Sequence, residues 1–444
     1  MSEVKIFKFG GSCLKESNDL EAVVQRIVES SQEKTVVVVS ALHGVTDRIL
    51  ERLEHNDRES VSAFVASIEM MHLEISPTLV NDAYYSKFRD ALAALSEALL
   101  DNCENPSEKS QIRAQIAGEQ MSSVAVSAAV SACGIDSKPI WSEEFGIKIH
   151  KVKGESVIDI DSTIQSLNIP DVSVLVVTGW YGMLDEEPAL LARGGSDLTA
   201  TSLAAVLNAS EVTIWRDVSG VLALSPRWAI PSRNLPYLSY TEAQELALFS
   251  EPVLHPFAVE PLRKEGIPLR LRPLHDPNDF GSCIGPSIAT GETRVRAVGC
   301  LPHLVPLTMR LSGVMSVAKV VADATILLDR ARIRVWSLRA RPNEARFLVS
   351  QRVASRAMRL LSESPGLPTP NRGDAISILC LVGESIGNNF SISSEIEEFA
   401  RQSELKLTHL DEGKRDHALH YTVSDEQTQE ALISIAKNFD LLIP

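Results

Sequence analysis

Short apolar runs rich in β-branched residues alternate with longer amphipathic stretches through the first two thirds of the chain. The apolar runs predict buried strands at residues 4–9, 35–40, 138–141, 172–178, 212–214 and 267–271. The amphipathic stretches predict helices at residues 18–30, 47–54, 59–71, 82–102, 110–132, 197–207 and 241–249. This alternation is typical of an α/β fold, in which helices cover both faces of a mainly parallel sheet.

The pattern changes after residue 297. A strand, a helix, two strands and a helix are predicted at residues 305–311, 315–330, 333–340, 345–351 and 354–363. After a joint rich in Pro and Gly at 364–374, the same order recurs at residues 375–382, 393–403, 405–410, 418–423 and 426–437. The recurrence predicts an internal duplication that forms two small α+β units.

The charge balance narrows the classes of partner. The 444 residues include 43 Lys and Arg against 58 Asp and Glu, which gives a net charge of −15. A chain of this charge repels phosphate polymers and anionic lipids, so we expect neither nucleic acid nor a membrane as a partner. A local basic pocket for one small anion is compatible with this charge.

The six cysteines have neither the spacing of a zinc knuckle nor the density of a secreted disulfide framework. We therefore expect no metal site and a reducing compartment. The N-terminal segment has no signal-peptide pattern, and the apolar runs are far shorter than the ~20 residues of a membrane helix. These features predict a soluble, cytoplasmic protein.

Glycine-bearing loops follow four of the predicted strands. The first, KFGGS, places Lys8 beside Gly10 and Gly11, where backbone N–H groups and an ammonium can hold a phosphate. The same glycines can form an ordinary tight turn, and their spacing matches neither the Walker nor the dinucleotide pattern. The second, SALHGVTD, offers Ser40 and Thr46 to a polar ligand, although Thr46 can instead cap the next helix.

The third loop, ARGGSD, carries Arg193, whose planar guanidinium suits a carboxylate. Ser196 and Asp197 follow it, and an ordinary capped helix start explains these two residues equally well. The fourth segment, IWRDVSGVLALSPR, is a strand followed by Asp217, Gly220 and Arg227. Such a segment can hold a nucleotide or simply cross between two elements.

The four loops are expected to meet, because the carboxyl ends of parallel strands in an open α/β sheet share one crevice. Glu119 lies in a predicted helix rich in Ala and Ser, where its carboxylate can meet a substrate ammonium or face water. The combined set holds the cations Lys8 and Arg193 and the carboxylates Glu119, Asp197 and Asp217. This set suits phosphoryl transfer to a small charged acceptor.

The order of the motifs resembles that of aspartokinases in the amino acid kinase family. The motifs run from residue 5 to about residue 285 and are KFGGS, VVSALHGVTD, GEQMS, VTGWYG, ARGGSDLTA, IWRDVSGV, YTEAQELALF, VLHP and IPLRLRP. The two terminal repeats resemble the paired ACT domains of such enzymes. The resemblance implies an amino acid kinase catalytic domain at residues 1–297 and ACT-like βαββαβ units at 298–368 and 369–444.

The resemblance also implies roles for individual residues. Lys8 would neutralise the transferring phosphoryl group, and Asp197 would orient Lys8. Glu119 would meet the ammonium of aspartate and Arg193 a carboxylate, within a substrate set of Ser40, Thr46, Glu119, Arg193 and Ser196. The nucleotide set would be Gly10, Gly11, Ser12, Asp217, Gly220 and Arg227.

The implied reaction is the attack of the β-carboxylate of L-aspartate on the γ-phosphoryl group of ATP with Mg²⁺, which gives 4-phospho-L-aspartate for amino acid biosynthesis. Because the nucleophile is already an anion, the protein has to align the reactants and stabilise charge rather than supply a base. The ACT pair implies a homodimer and an amino-acid effector, with dimerisation alone as the alternative.

The chain departs from the aspartokinase pattern around the nucleotide. Arg216 and Leu222 stand where Thr and Tyr are usual, Ser225 where Asp is usual, and Pro252 where Lys is usual. Arg216 and Arg227 offer compensating charge. Two other functions are therefore compatible with the sequence, namely a kinase for another carboxylate in a specialised pathway and a catalytically weak protein that senses an amino acid.

Overall fold

The structure is a computed structural model that describes residues 4–30, 33–55, 57–152, 154–192, 194–249, 256–288, 294–313, 315–410 and 417–443. The described residues form two compact units. The first is drawn from residues 4–221, 234–244 and 256–288, and the second from residues 222–233, 245–249 and 294–443. Within these ranges, no helix combines the length and the apolar composition required to cross a bilayer.

The first unit has the α/β fold expected from the sequence. Its strands are β1 (Val4–Phe9), β2 (Lys34–Val39), β3 (Ser137–Ile140), β4 (Ile149–Val152), β5 (Glu155–Ile158), β6 (Val174–Thr178), β7 (Tyr181–Leu184), β8 (Glu187–Leu190), β9 (Glu211–Arg216), β10 (Tyr237–Ser239), β11 (Leu269–Pro273) and β12 (Ser282–Gly285). Its helices are α1 (Ser17–Glu29), α2 (Val45–Leu53), α3 (Val61–Ile75), α4 (Asp82–Glu104), α5 (Glu108–Ala132), α6 (Ser142–Phe145), α7 (Ile160–Ser166), α8 (Gly195–Leu207), α9 (Tyr240–Phe249) and α10 (Pro256–Glu265). The residues of α9 from 245 onward belong to the second unit.

Eight strands form the main sheet in the order β10-β12-β11-β9-β1-β2-β6-β3. Neighbouring strands are parallel except for β11 and β12, which are antiparallel. The central strand β2 is buried from Thr35 to Val39, and its four consecutive valines explain why the sequence pattern identifies it. The predicted mainly parallel sheet is confirmed, whereas the edge strand β10 and its neighbour β12 are absent from the prediction.

Helix α5 forms the centre of the core of the first unit. It is buried without interruption from Ile116 to Val130, because its Ala, Ser and Gly side chains allow close approach. A Cβ atom at Gly118, for example, would lie 3.0 Å from the Cβ of Ala41 in the loop after β2. This contact holds α5 against the loops that leave the sheet.

The strand register places several of these loops at one level. Phe9 at the end of β1 pairs with Val39 at the end of β2 and with Trp215 near the end of β9. Val39 pairs in turn with Thr178 at the end of β6. The residues that follow these strands therefore leave the sheet along a single edge.

The second unit contains the duplicated part of the sequence. Its strands are β13 (Ala297–Arg310), β14 (Val335–Arg341), β15 (Glu344–Ser350), β16 (Asn371–Arg372), β17 (Ile376–Val382), β18 (Thr408–His409) and β19 (Ala418–Ser424). Its helices are α11 (Val317–Arg330), α12 (Gln351–Glu363), α13 (Phe390–Gln402) and α14 (Thr428–Asn438). The strand, helix, two strands, helix order predicted for each repeat is confirmed.

The two repeats share one sheet, in the order β14-β15-β13-β17-β19-β18, with the short β16 also paired to β13. The repeats are joined through antiparallel pairing of β13 with β17. Strand β13 begins eight residues before the predicted strand at 305, across a register shift between Leu301 and Leu304. The domain boundaries at 297/298 and 368/369 stay predictions.

Phe347 on β15 tests the core of the first repeat. Its side chain is fully buried in a cluster formed by β13, β15, α11 and α12. Because Phe347→Ala leaves a cavity as well as losing buried area, we expect the free energy of unfolding to fall by about 3–5 kcal/mol. Urea unfolding followed by circular dichroism measures this loss.

The matched control is Phe390→Ala, because Phe390 at the start of α13 is 79% exposed. We expect this substitution to change the free energy of unfolding by no more than about 0.5 kcal/mol. Equal losses from the two substitutions would contradict the assignment of Phe347 to the core.

Candidate functional site

A cavity of about 270 Å³ lies at the edge of the main sheet where the loops leave it. Its lining residues come from β1, the loops after β2 and β6, and helices α2, α5 and α8. They are Lys8, Ser40, Thr46, Glu119, Trp180, Gly194, Gly195, Ser196 and Asp197. The cavity thus brings together the two predicted catalytic residues and four of the five residues predicted to bind substrate.

Lys8 and Asp197 form an ion pair in this cavity. The Nζ atom of Lys8 is 2.6 Å from Oδ1 of Asp197, and the two side chains are only 12% and 10% exposed. Arg216 at the end of β9 contacts the other carboxylate oxygen, with its Nη2 atom 3.2 Å from Oδ2. Low exposure strengthens these interactions, so Asp197 fixes the position of the Lys8 ammonium.

Gly10 makes room for this ammonium. A Cβ atom at position 10 would lie 3.0 Å from Nζ of Lys8. Gly10 and Gly11 also begin a single 3₁₀ turn at Gly11–Cys13, which carries the chain away from the end of β1. The loop therefore turns away from Lys8, whose side chain is among those that line the cavity.

Two helices begin at the cavity. The residues that precede α2 and α8 are Gly44 and Gly194, with φ angles of 76° and 79°, and neither helix start has a side-chain cap. The alternative in which Ser196 or Asp197 caps α8 is therefore wrong, because both residues lie inside its first turn. The partial positive charge of helix N-termini favours an anion at this point.

Glu119 is buried beside these groups rather than facing water. It is 3% exposed, and its Oε2 atom has no hydrogen-bond partner among the described residues. Burial raises the pKa of Glu119 to about 8, although a backbone hydrogen bond from Ala41 and the charge of Lys8 both lower it. At neutral pH the carboxyl group is therefore mostly protonated and can ionise when a cation binds.

The charge of the cavity favours an anionic ligand. Among the described residues, Lys8, Arg216 and Asp197 form a cluster of two cations and one carboxylate, and the carboxyl group of Glu119 is mostly protonated at neutral pH. This cluster therefore has an excess of one positive charge. Together with the helix starts, this excess favours phosphate or carboxylate groups.

Trp180 is a lining residue that sequence reasoning missed. It has a φ angle of 69°, which is rare for a bulky residue, and its backbone N–H donates to Oγ1 of Thr199 on α8. Gly195 approaches it so closely that a Cβ there would lie 2.5 Å from Cδ1 of Trp180. The signal in the sequence is an aromatic residue directly after a glycine at a strand end, but the unusual backbone cannot be inferred from it.

The predicted nucleotide residues are only partly gathered. Ser12 and Asp217 follow the paired strands β1 and β9, and Nζ of Lys15 lies 3.0 Å from Oδ2 of Asp217. Burial opposes ionisation of Asp217, but hydrogen bonds from Lys15, the backbone and Ser12 outweigh it and lower the pKa of the carboxyl group. This pair provides a second charged position near the end of β1.

The other two nucleotide candidates, Gly220 and Arg227, make contacts of their own. Gly220 packs so closely on Ser282 that a Cβ at position 220 would lie 2.4 Å from its Oγ atom. Arg227 belongs to the second unit, where its guanidinium donates to the carbonyl of Cys300 and lies over the Trp228 ring. None of the six predicted nucleotide residues is among the lining residues of the Lys8 cavity. Arg193 and the substituted position Pro252 lie outside the described residues.

Comparisons with known proteins relate the whole chain to aspartokinases. The bifunctional aspartokinase/homoserine dehydrogenase 2 of Arabidopsis thaliana is 24% identical over 469 aligned residues, which cover 98% of this chain and 50% of that protein. The chain spans about half the length of the curated relatives it matches.

Solved structures share the fold. The structure of Escherichia coli aspartokinase III with aspartate and ADP, in its R state, superposes with a TM-score of 0.82 at 19% identity and covers 99% of this chain and 100% of that one. The structure of the same protein with lysine and aspartate, in its T state, gives 0.76 at 19% identity with the same coverage. The model of the amino acid kinase family matches residues 3–273. The predicted resemblance is confirmed, and the chain belongs to the amino acid kinase family.

Proposed function

We propose that this chain is an aspartate kinase, which transfers the γ-phosphoryl group of ATP to the β-carboxylate of L-aspartate. The observation that carries the proposal is the enclosure of the Lys8–Asp197 pair and the buried Glu119 in one cavity. These groups provide a cation for a phosphoryl group and a carboxyl for a substrate ammonium. Membership of the amino acid kinase family and the resemblance to aspartokinases support the same reaction.

The proposed acceptor site surrounds the amino acid with groups of matching charge. Glu119 ionises and pairs with the ammonium, while the hydroxyl groups of Ser40, Thr46 and Ser196 donate hydrogen bonds to carboxylate oxygens. Arg193 is proposed to bind a carboxylate on the basis of its motif. This arrangement leaves the second carboxylate of aspartate free to point towards Lys8.

In the proposed transfer, an oxygen of the β-carboxylate forms a bond to the γ-phosphorus while the bond between that phosphorus and the departing ADP oxygen breaks. Lys8 neutralises charge on the transferring group, and Asp197 keeps the ammonium in position. The first turn of α8 offers backbone N–H groups to the same charge. Alignment of two bound anions is the main contribution of the protein.

ATP is proposed to lie over the ends of β1 and β9, where Gly10, Gly11, Ser12 and Asp217 are found. Mg²⁺ would arrive with the nucleotide, because phosphates supply the oxygen ligands that it prefers. The two carboxylates of the cavity are engaged differently: Asp197 contacts Lys8 and Arg216, and Glu119 is buried. When bound, Mg²⁺ neutralises charge on the β- and γ-phosphates.

The second unit is proposed to be regulatory. Its paired repeats share one sheet, and the resemblance to ACT pairs supports binding of an amino-acid effector. Aspartokinase III, a protein of the same fold, has been solved with lysine and aspartate, which makes lysine a reasonable first effector to assay. The homodimer and the cytoplasmic location stay predictions.

The central experiment traps acyl phosphate as hydroxamate in the presence of Mg-ATP, L-aspartate and hydroxylamine. We expect hydroxamate formation to depend on both substrates. Lys8→Met should lower kcat by at least about 100-fold, because it removes the cation that stabilises the transferring group. ADP release is measured in parallel, and it should equal the amount of hydroxamate formed.

The matched control is Lys5→Met. Lys5 lies on the same strand and pairs with Glu33 at 2.9 Å, outside the cavity. Its substitution should leave kcat within about twofold of the wild type. If hydroxamate formed with another carboxylate but not with aspartate, the acceptor would be that carboxylate instead of aspartate. Absence of both turnover and ATP binding would favour an amino-acid sensor.

Glu119 makes aspartate binding dependent on pH. In the free protein its pKa is about 8, and pairing with the substrate ammonium should lower that pKa. Binding at pH 7 should therefore release about one proton, and affinity should rise about tenfold per pH unit until it levels off above pH 8. Calorimetry in buffers of different ionisation enthalpy measures the proton count.

Glu119→Gln is the control for this linkage, since an amide has no proton to release in this range. The variant should bind aspartate more weakly and without net proton exchange. A wild-type protein that binds aspartate with no proton release at pH 7 would show that Glu119 does not meet the ammonium.

Arg216, which stands where Thr is usual, provides a further test. It contacts Asp197, which also holds Lys8, so its charge adds to that of the cavity. We expect Arg216→Gln to lower kcat by about tenfold, which corresponds to about 1.4 kcal/mol. Arg270→Gln is the matched control, because Arg270 on the adjacent strand pairs with Glu211 at 2.9 Å. An equal effect of the two substitutions, or a gain of activity in Arg216→Gln, would contradict a supporting role for Arg216.

A further inference from the structure

Three potential metal ligands converge in the second unit, and none of them is among the lining residues of the Lys8 cavity. Glu245 lies on α9, Cys380 on β17 and His420 on β19. One ligand atom from each of the three lies within 4.8 Å of the other two. The three residues come from distant parts of the chain, so no motif in the sequence predicts that they meet.

Strand register and helix periodicity explain why these side chains meet. Cys380 and His420 are directly opposite each other in the antiparallel pair of β17 and β19, so they share one face of the sheet. Phe249 packs on His420 with ring centroids 4.6 Å apart. Glu245 is one helical turn before Phe249, which places it on the same face of α9.

We propose that Glu245, Cys380 and His420 form a binding site for Zn²⁺. Thiolate, imidazole and carboxylate are the ligands that Zn²⁺ takes in proteins, whereas Mg²⁺ and Ca²⁺ prefer oxygen alone. Zn–ligand bonds of about 2.0–2.3 Å in a tetrahedral site separate ligand atoms by about 3.3–3.8 Å. Nε2 of His420 and Oε2 of Glu245 are already 3.6 Å apart.

Burial and charge favour this ion. Cys380 and His420 are 0% and 1% exposed, and the Glu245 side chain is 16% exposed. One thiolate and one carboxylate balance the two charges of Zn²⁺, so the occupied site is neutral, as a buried position requires. Binding displaces the Cys380 thiol proton to solvent, and the partial exposure of Glu245 provides the entry path. A water molecule completes the four ligands.

Cobalt provides the direct test, because Co²⁺ occupies zinc sites and reports its ligands by absorption. Tag-free full-length protein is reduced, stripped with a chelator and titrated with Co²⁺. We expect tetrahedral visible bands and a thiolate-to-cobalt band in the near ultraviolet, which saturate at one ion per chain and disappear when Zn²⁺ is added. Competition with a chromophoric chelator then gives the affinity for Zn²⁺.

Substitutions identify the ligands. Cys380→Ser should abolish the thiolate band, and Glu245→Gln should keep that band but weaken Zn²⁺ affinity by at least about 10–100-fold. Cys300→Ser is the matched control, because Cys300 is also buried in this sheet, on the neighbouring strand β13, and lies outside the cluster. It should retain both the band and the affinity.

The proposal is overturned if the stripped wild-type protein gives no thiolate band with excess Co²⁺. It is also overturned if Glu245→Gln binds as tightly as the wild type, or if the band depends on Cys300 instead of Cys380. Because the wild-type titration and the Glu245→Gln variant do not require a substitution in the sheet, failure of Cys380→Ser to fold leaves the test decisive. None of these readouts depends on kinase activity.

Discussion

Parallel pairing of β1 with β2 and β9 is the constraint on which the site depends. It ends three buried strands at one level, so the residues that follow them share one edge. Helices α2 and α8 start at that edge and α5 packs behind it, which adds two helix N-termini and a buried carboxyl group. The register of the parallel strands therefore brings the site residues to one edge of the sheet. Each side chain then has only to point from its own strand, loop or helix into the cavity.

Among the described residues of the cavity, the buried carboxylate of Asp197 is paired with cations and the buried carboxyl group of Glu119 is mostly uncharged. Asp197 lies between Lys8 and Arg216, and Glu119 avoids an unpaired buried charge by holding its proton. Removing one member of such a set changes the cost of burying the others. The arginine at position 216 is consistent with this view, because it adds its charge at the carboxylate that positions Lys8.

Much of the fold could be predicted because its strands are continuous apolar runs, as in β1, whose observed bounds equal the predicted ones. The prediction failed where local signals were weak or contradictory. Pro302 and His303, which has a φ of 58°, interrupt the apolar pattern of β13, and β18 has two residues instead of six.

At the site, the order of the motifs led to Lys8, Glu119 and Asp197. Trp180 depends on an unusual backbone, and the cluster around His420 depends on contacts between distant segments, so neither has a local signature.

The two repeats of the second unit are structurally dependent on each other, because their strands form one sheet. Because β17 pairs along the first half of β13, each repeat supplies part of the hydrogen bonding of the other. A protein truncated within residues 364–374 would lack β17, the partner of the first half of β13. The N–H and C=O groups on that side of β13 would then be unpaired and could template edge-to-edge aggregation. Each repeat therefore needs the other to complete its sheet. A recombinant protein in which one repeat is exchanged must preserve the pairing of β13 with β17.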